Sequence, residues 1–175
     1  MAFQDIVFDI DGTLADATHR LHLIKDPLFW VHLHEGKPLT PDWSRFLSDE
    51  EVAKDLPIPQ TWAIMDALLL MGHRVLFITG RNEATRAMTT KWLLNYDCPH
   101  RKMPASQLTS RYSEPKIYMR KDDDRRLSED TKRSLLHQAR ADGYNPTMVF
   151  EDRVADTAMW RSEGLLCLQV AEGHY

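Results

Sequence analysis

Short apolar runs recur along the chain, each followed by polar residues. Ile6-Val7-Phe8 lies within residues 4–9, and Val75-Leu76-Phe77-Ile78, Ile117-Tyr118-Met119 and Met148-Val149-Phe150 repeat the pattern, as does Leu165 to Val170. A continuous apolar run, as opposed to an alternating one, marks a strand covered on both faces. Between the runs the spacing changes to that of helices. Residues 59–71 place Trp62, Met65, Leu68 and Leu69 on one stripe, with Gly72 as the cap. Residues 83–95 place Ala84, Ala87, Met88 and Trp92 inward, with Asn82 as N-cap. Residues 129–142 begin after a Ser128 cap and end at Gly143, and 154–163 turn Val154, Ala155, Ala158 and Met159 inward before Gly164. Residues 14–24 also read as helical.

Residues 25–58 have another texture. Pro27, Gly36, Pro38, Pro41 and Pro57 interrupt short pieces whose apolar faces come from Phe29-Trp30-Val31 and Trp43 to Leu47. This predicts a small helical cap or lid inserted into a core of residues 1–24 and 59–175. Residues 97–115, with Pro99, Pro104 and Pro115, read as a loop. Strands alternating with helices predict an α/β fold: a three-layer, doubly wound, five-stranded parallel sheet of Rossmann-like type.

Composition narrows this picture. A 175-residue chain suits one domain with a small insertion, and 43% apolar with 27% charged residues describes an ordinary globular protein. The formal charge of −4 argues against a general basic nucleic-acid binder. Cys98 and Cys167 form no C-x-x-C pair, no apolar run is long enough to span a membrane, and no signal peptide precedes the first strand. The expectation is a cytoplasmic protein.

Candidate chemistry collects at strand ends, where open α/β sheets bind ligands. The first run ends in Asp9-Ile10-Asp11-Gly12-Thr13. Alternation in an extended segment puts Asp9 and Asp11 on one side, and two converging carboxylates call for a hard cation such as Mg2+. By itself D-x-D-G also describes a strand followed by an Asx-type turn. The other ends decide: Thr79-Gly80-Arg81, Arg120, and Glu151-Asp152 with Asp156 one turn later. Lys132 shares a helix face with Leu135, Leu136 and Ala139, which turns it toward these carboxylates as a counter-charge. Such parts suit phosphoryl transfer: a carboxylate that attacks phosphorus, a second that moves protons, a cation, and a hydroxyl and a lysine on the phosphoryl oxygens.

These residues resemble the haloacid dehalogenase (HAD) superfamily of phosphatases. Asp9-Ile10-Asp11-Gly12-Thr13 matches its first motif, Val75 to Thr79 the second, Lys132 the third, and Met148 to Asp152 with Asp156 the fourth. A narrower likeness is to the 3′-phosphatase domain of bacteriophage-type polynucleotide kinase–phosphatase. It rests on Thr79-Gly80-Arg81, Arg20, the stretch Arg120, Asp124, Arg126 to Lys132, Glu151-Asp152-Arg153, Met159-Trp160-Arg161, and Cys167 to Gly173. Two positions depart from that group's pattern: Glu151 stands for the first aspartate of its D-D pair, and Ser128 for an aspartate four residues before the lysine, with Glu129 or Asp130 as substitutes. No G-x-x-x-x-G-K-[ST] loop occurs, so no kinase half is expected.

The resemblance implies Asp9 as nucleophile, Asp11 as general acid/base, and Thr79 and Lys132 on the phosphoryl group. Mg2+ would be held by Asp9, Asp152 and the backbone carbonyl of Asp11, with Glu151 and Asp156 as further candidates. Arg20, Gly80, Arg81, Arg120 and Arg126 would bind substrate. The implied activity is a Mg2+-dependent phosphomonoesterase, working through a phosphoaspartate, that removes 3′-phosphates from nucleic-acid ends. The alternatives are a nucleotidase for free nucleoside monophosphates and, more remotely, a non-catalytic nucleotide-binding protein. Two weaker signals remain: a zinc site from His19, His22, His32 and His34, and base stacking by Phe29, Trp30, Trp43 and Phe46, set against a lid core of their own.

Overall fold

Every residue of Asp5–Phe8 (β1) is buried, as its unbroken apolar run requires of a central strand. The computed structural model describes residues 4–24, 41–95 and 115–173. Within them β1 is flanked by Arg74–Asn82 (β4) and Pro146–Arg153 (β6), and Lys116–Arg120 (β5) and Leu166–Gly173 (β7) form the edges. The order is β5-β4-β1-β6-β7, and every pairing is parallel. Parallel strands need crossovers, which the helices supply: Pro59–Leu70 (α3), Arg86–Asn95 (α4), Ser128–Ala141 (α5) and Val154–Ser162 (α6). The five-stranded parallel α/β architecture expected from the pattern is the one observed. No helix among the described residues is long and apolar enough to cross a membrane.

Alternation along the strands divides the core. Ile6, Phe8 and Phe77 pack with Trp62, Met65 and Trp92 on one face, while Val7, Leu76, Ile78 and Val149 pack with Leu135, Leu136 and Trp160 on the other. Phe8 and Phe150 stack across neighbouring strands with ring centroids 4.4 Å apart. Burying each such side chain is worth about 1.5–3 kcal/mol, which fixes the register of β1 between β4 and β6. That register places the strand ends side by side.

Three local expectations give way. Residues 14–24 are not one helix. Ala15–Asp16 (β2) pairs antiparallel with Leu56–Pro57 (β3), and a 3-10 helix covers Thr18–Leu23. The Asp16 carboxylate accepts a hydrogen bond from the Thr18 backbone at 2.9 Å, a local turn that competes with helix at that point. Asn82 makes no side-chain cap, because a 3-10 turn at Glu83–Thr85 precedes α4 and rotates its inner face. Thr85, Thr89, Trp92 and Leu93 are buried there, while Ala84 and Ala87 are exposed. In α6 the buried residues are Asp156, Thr157, Met159 and Trp160, and Val154, Ala155 and Ala158 face outward. Polar contacts at the sheet edge outweigh the burial of small apolar groups.

Of the inserted segment, residues 41–58 are described. They hold Trp43–Phe46 (α1), capped by Asp42, and Asp49–Val52 (α2), capped by Ser48. Phe29, Trp30, His32 and His34 lie outside the described residues, as does the loop reading of 97–114 with Cys98.

Candidate active site

The turn after β1 builds the site's centre. The Ile10 carbonyl accepts hydrogen bonds from the backbone N–H groups of Thr13, Leu14 and Ala15. Gly12 takes φ 81°, a left-handed conformation that side chains resist and glycine allows. The chain therefore reverses immediately after Asp11, leaving Asp9 and Asp11 at the sheet's carboxyl edge. There a cavity of about 730 Å3 is lined by Asp9, Asp11, Thr79, Gly80, Lys132, Glu151, Asp152 and Asp156. Residues 41–44, 46 and 47 of the insertion and Arg120, Asp124, Arg125, Arg126 and Leu127 after β5 line it as well.

Lys132 reaches in from α5 and is buried. Its Nζ lies 3.1 Å from Asp9 Oδ1, 2.8 Å from Glu151 Oε2 and 2.9 Å from Asp156 Oδ2. Burial disfavours its charge, but these three carboxylates outweigh that and raise its pKa well above the ordinary lysine value. Burial pushes the Asp9 carboxyl well above its usual range; Lys132 opposes this, while Glu151, Asp152 and Asp11 add to it.

One oxygen from each of Asp9, Glu151 and Asp152 lies within 4.8 Å of the others, all three residues being buried. This hard-oxygen set, in a nest where four carboxylates outnumber the Lys132 ammonium and the Arg153 guanidinium, fits a divalent cation. Glu151 is the most engaged of the three. Its Oε2 accepts from Lys132 at 2.8 Å and from Trp160 Nε1 at 2.9 Å, and its Oε1 from the backbone N–H groups of Asp152 and Arg153 at 3.2 and 3.3 Å. Asp152 is supported from β7, where Gln169 Nε2 donates to its carbonyl at 3.0 Å. Gly173 lies so close to Asp152 that a Cβ there would sit 2.2 Å from Oδ2.

Asp11 is held differently. Arg20 Nη2 is 2.5 Å from its Oδ1, and Arg81 reaches it through Nη2 at 2.6 Å and Nε at 3.0 Å. Burial would raise this carboxyl, but Arg81 and Arg20 outweigh it and hold the group well below the usual carboxylate range. Both guanidiniums are fully buried, and neither lines the cavity. Their other partner is Asp55, 2.8 Å from both Arg20 Nε and Arg20 Nη2, and 2.5 Å from Arg81 Nη2. Arg20 also donates to the Phe46 carbonyl at 2.8 Å and lies 4.2 Å over the Phe46 ring.

Sequence reasoning missed Asp55. It sits in the irregular segment before β3, and nothing in its local pattern marks it; two arginines without an assigned local partner were the available signal.

Thr79 is buried, and its Oγ1 accepts from the Arg81 backbone at 3.2 Å, which leaves the hydroxyl proton to donate. Gly80 lines the cavity, and its carbonyl accepts from Arg120 Nε at 3.2 Å. Arg120 also donates to the Arg126 carbonyl at 2.8 Å. Arg126 is paired twice with Asp124, at 3.0 and 2.8 Å, an arrangement that draws the Asp124 carboxyl below its usual range. Ser128 is not the helix cap but the first residue of α5, its hydroxyl donating to Asp156 at 2.9 Å. Glu129 and Asp130 point to Arg153 and Arg133, so the carboxylate beside Lys132 in their stead is Asp156. His19 contacts the Glu51 carbonyl and His22 the His19 carbonyl, and the group of possible metal ligands among the described residues contains no histidine.

Comparison with known proteins follows the same lines. A family model described as the polynucleotide kinase PNKP phosphatase domain matches residues 43–175, which include Thr79, Lys132 and Asp152 and begin after Asp11. No curated protein matches the sequence. Among solved structures, a chain of the Pnkp1/Rnl/Hen1 RNA repair complex is similar at TM-score 0.62 and 20% identity, over 99% of this chain and 44% of that one. This chain thus spans less than half the length of that relative. A putative phosphatase from Clostridium difficile is similar at TM-score 0.59 and 15% identity, over 99% and 87%. The class C acid phosphatase from Bacillus anthracis is similar at TM-score 0.54 and 16% identity, over 100% and 69%. At these identities the likeness establishes the fold.

Proposed function

The chain belongs to the polynucleotide kinase PNKP phosphatase-domain family of HAD phosphatases, and from that premise we propose that it is a Mg2+-dependent phosphomonoesterase that removes 3′-phosphates from nucleic-acid ends. The observation that carries this reading is the convergence of Asp9, Thr79, Lys132 and Asp152 on one cavity beside Asp11. In this reading residues 25–58 are the cap of a core formed by 1–24 and 59–175, and the sparse cysteines suit a cytoplasmic setting.

Asp9 is the nucleophile. Its carboxylate oxygen bonds to phosphorus as the ester P–O bond to the 3′-oxygen breaks, giving a phosphoaspartate. Asp11 delivers a proton to the leaving oxygen and then takes one from the water that releases phosphate and frees Asp9. Arg20 and Arg81 favour its charged form, the form that takes the proton from water, and the acid half of the cycle has the negative charge of the phosphoryl group act against that preference. The two arginines act on Asp11, fixing its position, in place of touching substrate. The Thr79 hydroxyl and the Lys132 ammonium bind phosphoryl oxygens.

Mg2+ held by Asp9, Asp152 and the Asp11 backbone carbonyl would neutralise charge on the non-bridging oxygens. Glu151 is assigned to orienting Lys132 and the start of α6, since both its oxygens are taken. Gly80, Arg120 and Arg126 form the rim that substrate passes.

The test is a comparison of kcat/KM in Mg2+ for a 3′-phosphorylated oligonucleotide and for free 3′- and 5′-nucleotides. The oligonucleotide is expected to be hydrolysed at least about tenfold more efficiently, a difference of about 1.4 kcal/mol. Preference for a free nucleotide would replace this reading with a nucleotidase.

A further inference from the structure

We propose that Trp43 is the specificity platform of this phosphatase: it stacks on the nucleobase of the nucleotide that carries the phosphate. The inference rests on the nucleic-acid reading above and names how the end is recognised.

Trp43 is 51% exposed yet lines the same cavity as Asp9 and Thr79. A large aromatic half open to water beside a phosphoryl site offers exposed ring surface to a flat, apolar group. The ring is also pre-positioned. It opens α1, whose N-terminus is fixed by Asp42 accepting from the Arg45 backbone and the Ser44 hydroxyl. It meets the buried Phe46 ring in a near-perpendicular contact, with centroids 5.7 Å apart and 81° between the planes.

Phe46 in turn is held by Arg20, through its carbonyl and over its ring, and Arg20 holds Asp11. One guanidinium thus ties the platform to the carboxylate that serves the leaving oxygen, so a stacked base and a seated phosphoryl group come in a fixed relation. Arg125 supplies the remaining chemistry. It lines the cavity, is exposed, and donates to the Asp122 backbone carbonyl at 2.8 Å, which leaves its charge for a neighbouring backbone phosphate. An aromatic face with a nearby arginine suits a single strand and tolerates any base.

The experiment is a substrate-by-residue cycle read as kcat/KM. Wild type, Trp43→Ala and Trp43→Phe are assayed in Mg2+ on two single-stranded 3′-phosphorylated oligonucleotides. One ends in a normal nucleotide and the other in an abasic one. Wild type is expected to prefer the base-bearing end by roughly tenfold. Trp43→Ala should bring that preference close to unity, and Trp43→Phe should keep most of it, because a benzene ring still stacks. A structural role for Trp43 would lower both substrates alike and leave the preference intact; that result, or a wild type indifferent to the base, overturns the assignment while the nucleic-acid reading stands. If wild type hydrolyses p-nitrophenyl phosphate but neither oligonucleotide, the substrate reading fails and the platform with it. Preferred hydrolysis of a phosphotyrosyl peptide, lost in Trp43→Ala, would likewise overturn it in favour of a protein substrate.

Discussion

Two buried charge clusters lie next to each other under the same cavity, and their arithmetic differs. Around Lys132 there are four carboxylates, Asp9, Glu151, Asp152 and Asp156, for two cations, the Lys132 ammonium and the Arg153 guanidinium, 3.8 Å from Asp156. Around Asp11 there are two guanidiniums, Arg20 and Arg81, for two carboxylates, Asp11 and Asp55. The second cluster is neutral within itself and saturated with hydrogen bonds, so it stabilises an arrangement and is complete without a ligand. The first carries surplus negative charge in a place that water reaches poorly. Such a surplus is costly unless a cation enters, which is why one cluster reads as a workplace and the other as its clamp.

The contrast is most sharply tested at Asp9. Asp9→Asn should lower phosphate release from the 3′-phosphorylated oligonucleotide by at least about a thousandfold, as loss of a nucleophile does. The same substitution removes one charge from the overfull nest. In chelator-treated protein its melting temperature should therefore equal or exceed that of wild type, and a clear loss of stability would mean that the nest is not in surplus. Cation removal gives the complementary result. Chelation should abolish turnover, and restoring Mg2+ to about a hundred times its Kd should raise wild-type stability by about 2.7 kcal/mol. Calorimetry of Asp152→Asn should show that gain largely missing.

Asp55→Ala should behave in the opposite sense to Asp9→Asn. It leaves two buried guanidiniums to share the single carboxylate of Asp11, and breaking a buried pair in this way costs about 3–5 kcal/mol, with or without Mg2+. Urea titrations in the two conditions would show it, and a loss that appeared only with Mg2+ present would merge the two clusters into one. A smaller effect is expected at Gly173→Ala. The new Cβ meets the Asp152 carboxylate, so apparent Mg2+ affinity should fall about tenfold, the low end for a residue that supports a ligand, with the fold retained. Activity against Mg2+ concentration measures this directly.

The workplace was far more legible in the sequence than the clamp. Asp9, Thr79, Lys132 and Asp152 each sit at a strand end or on a helix stripe, and a parallel sheet brings its strand ends together by construction; of the clamp, only Asp11 was marked in the same way. Arg20 and Arg81 were visible as candidates, but their direction was not. Nothing local says whether an arginine beside a site faces a ligand or a neighbouring carboxylate. Asp55 was invisible because its partners are 35 and 26 residues away. The Asp156 contact with Lys132 was anticipated from its place one turn after Glu151-Asp152, although the small apolar residues of the same helix were misplaced inward.

Local pattern along the chain was enough to dictate the strand runs, their alternation with helices, and hence the five-stranded α/β fold with its carboxylates along one edge. These depend on periodicity and burial, which are properties of neighbours in the chain. How the charges divide emerges on folding: which carboxylates share one lysine, which two arginines are consumed by Asp55 and Asp11, and that Gly173 closes over Asp152. Those outcomes depend on distances between groups remote in sequence, and buried charge energies change steeply with such distances.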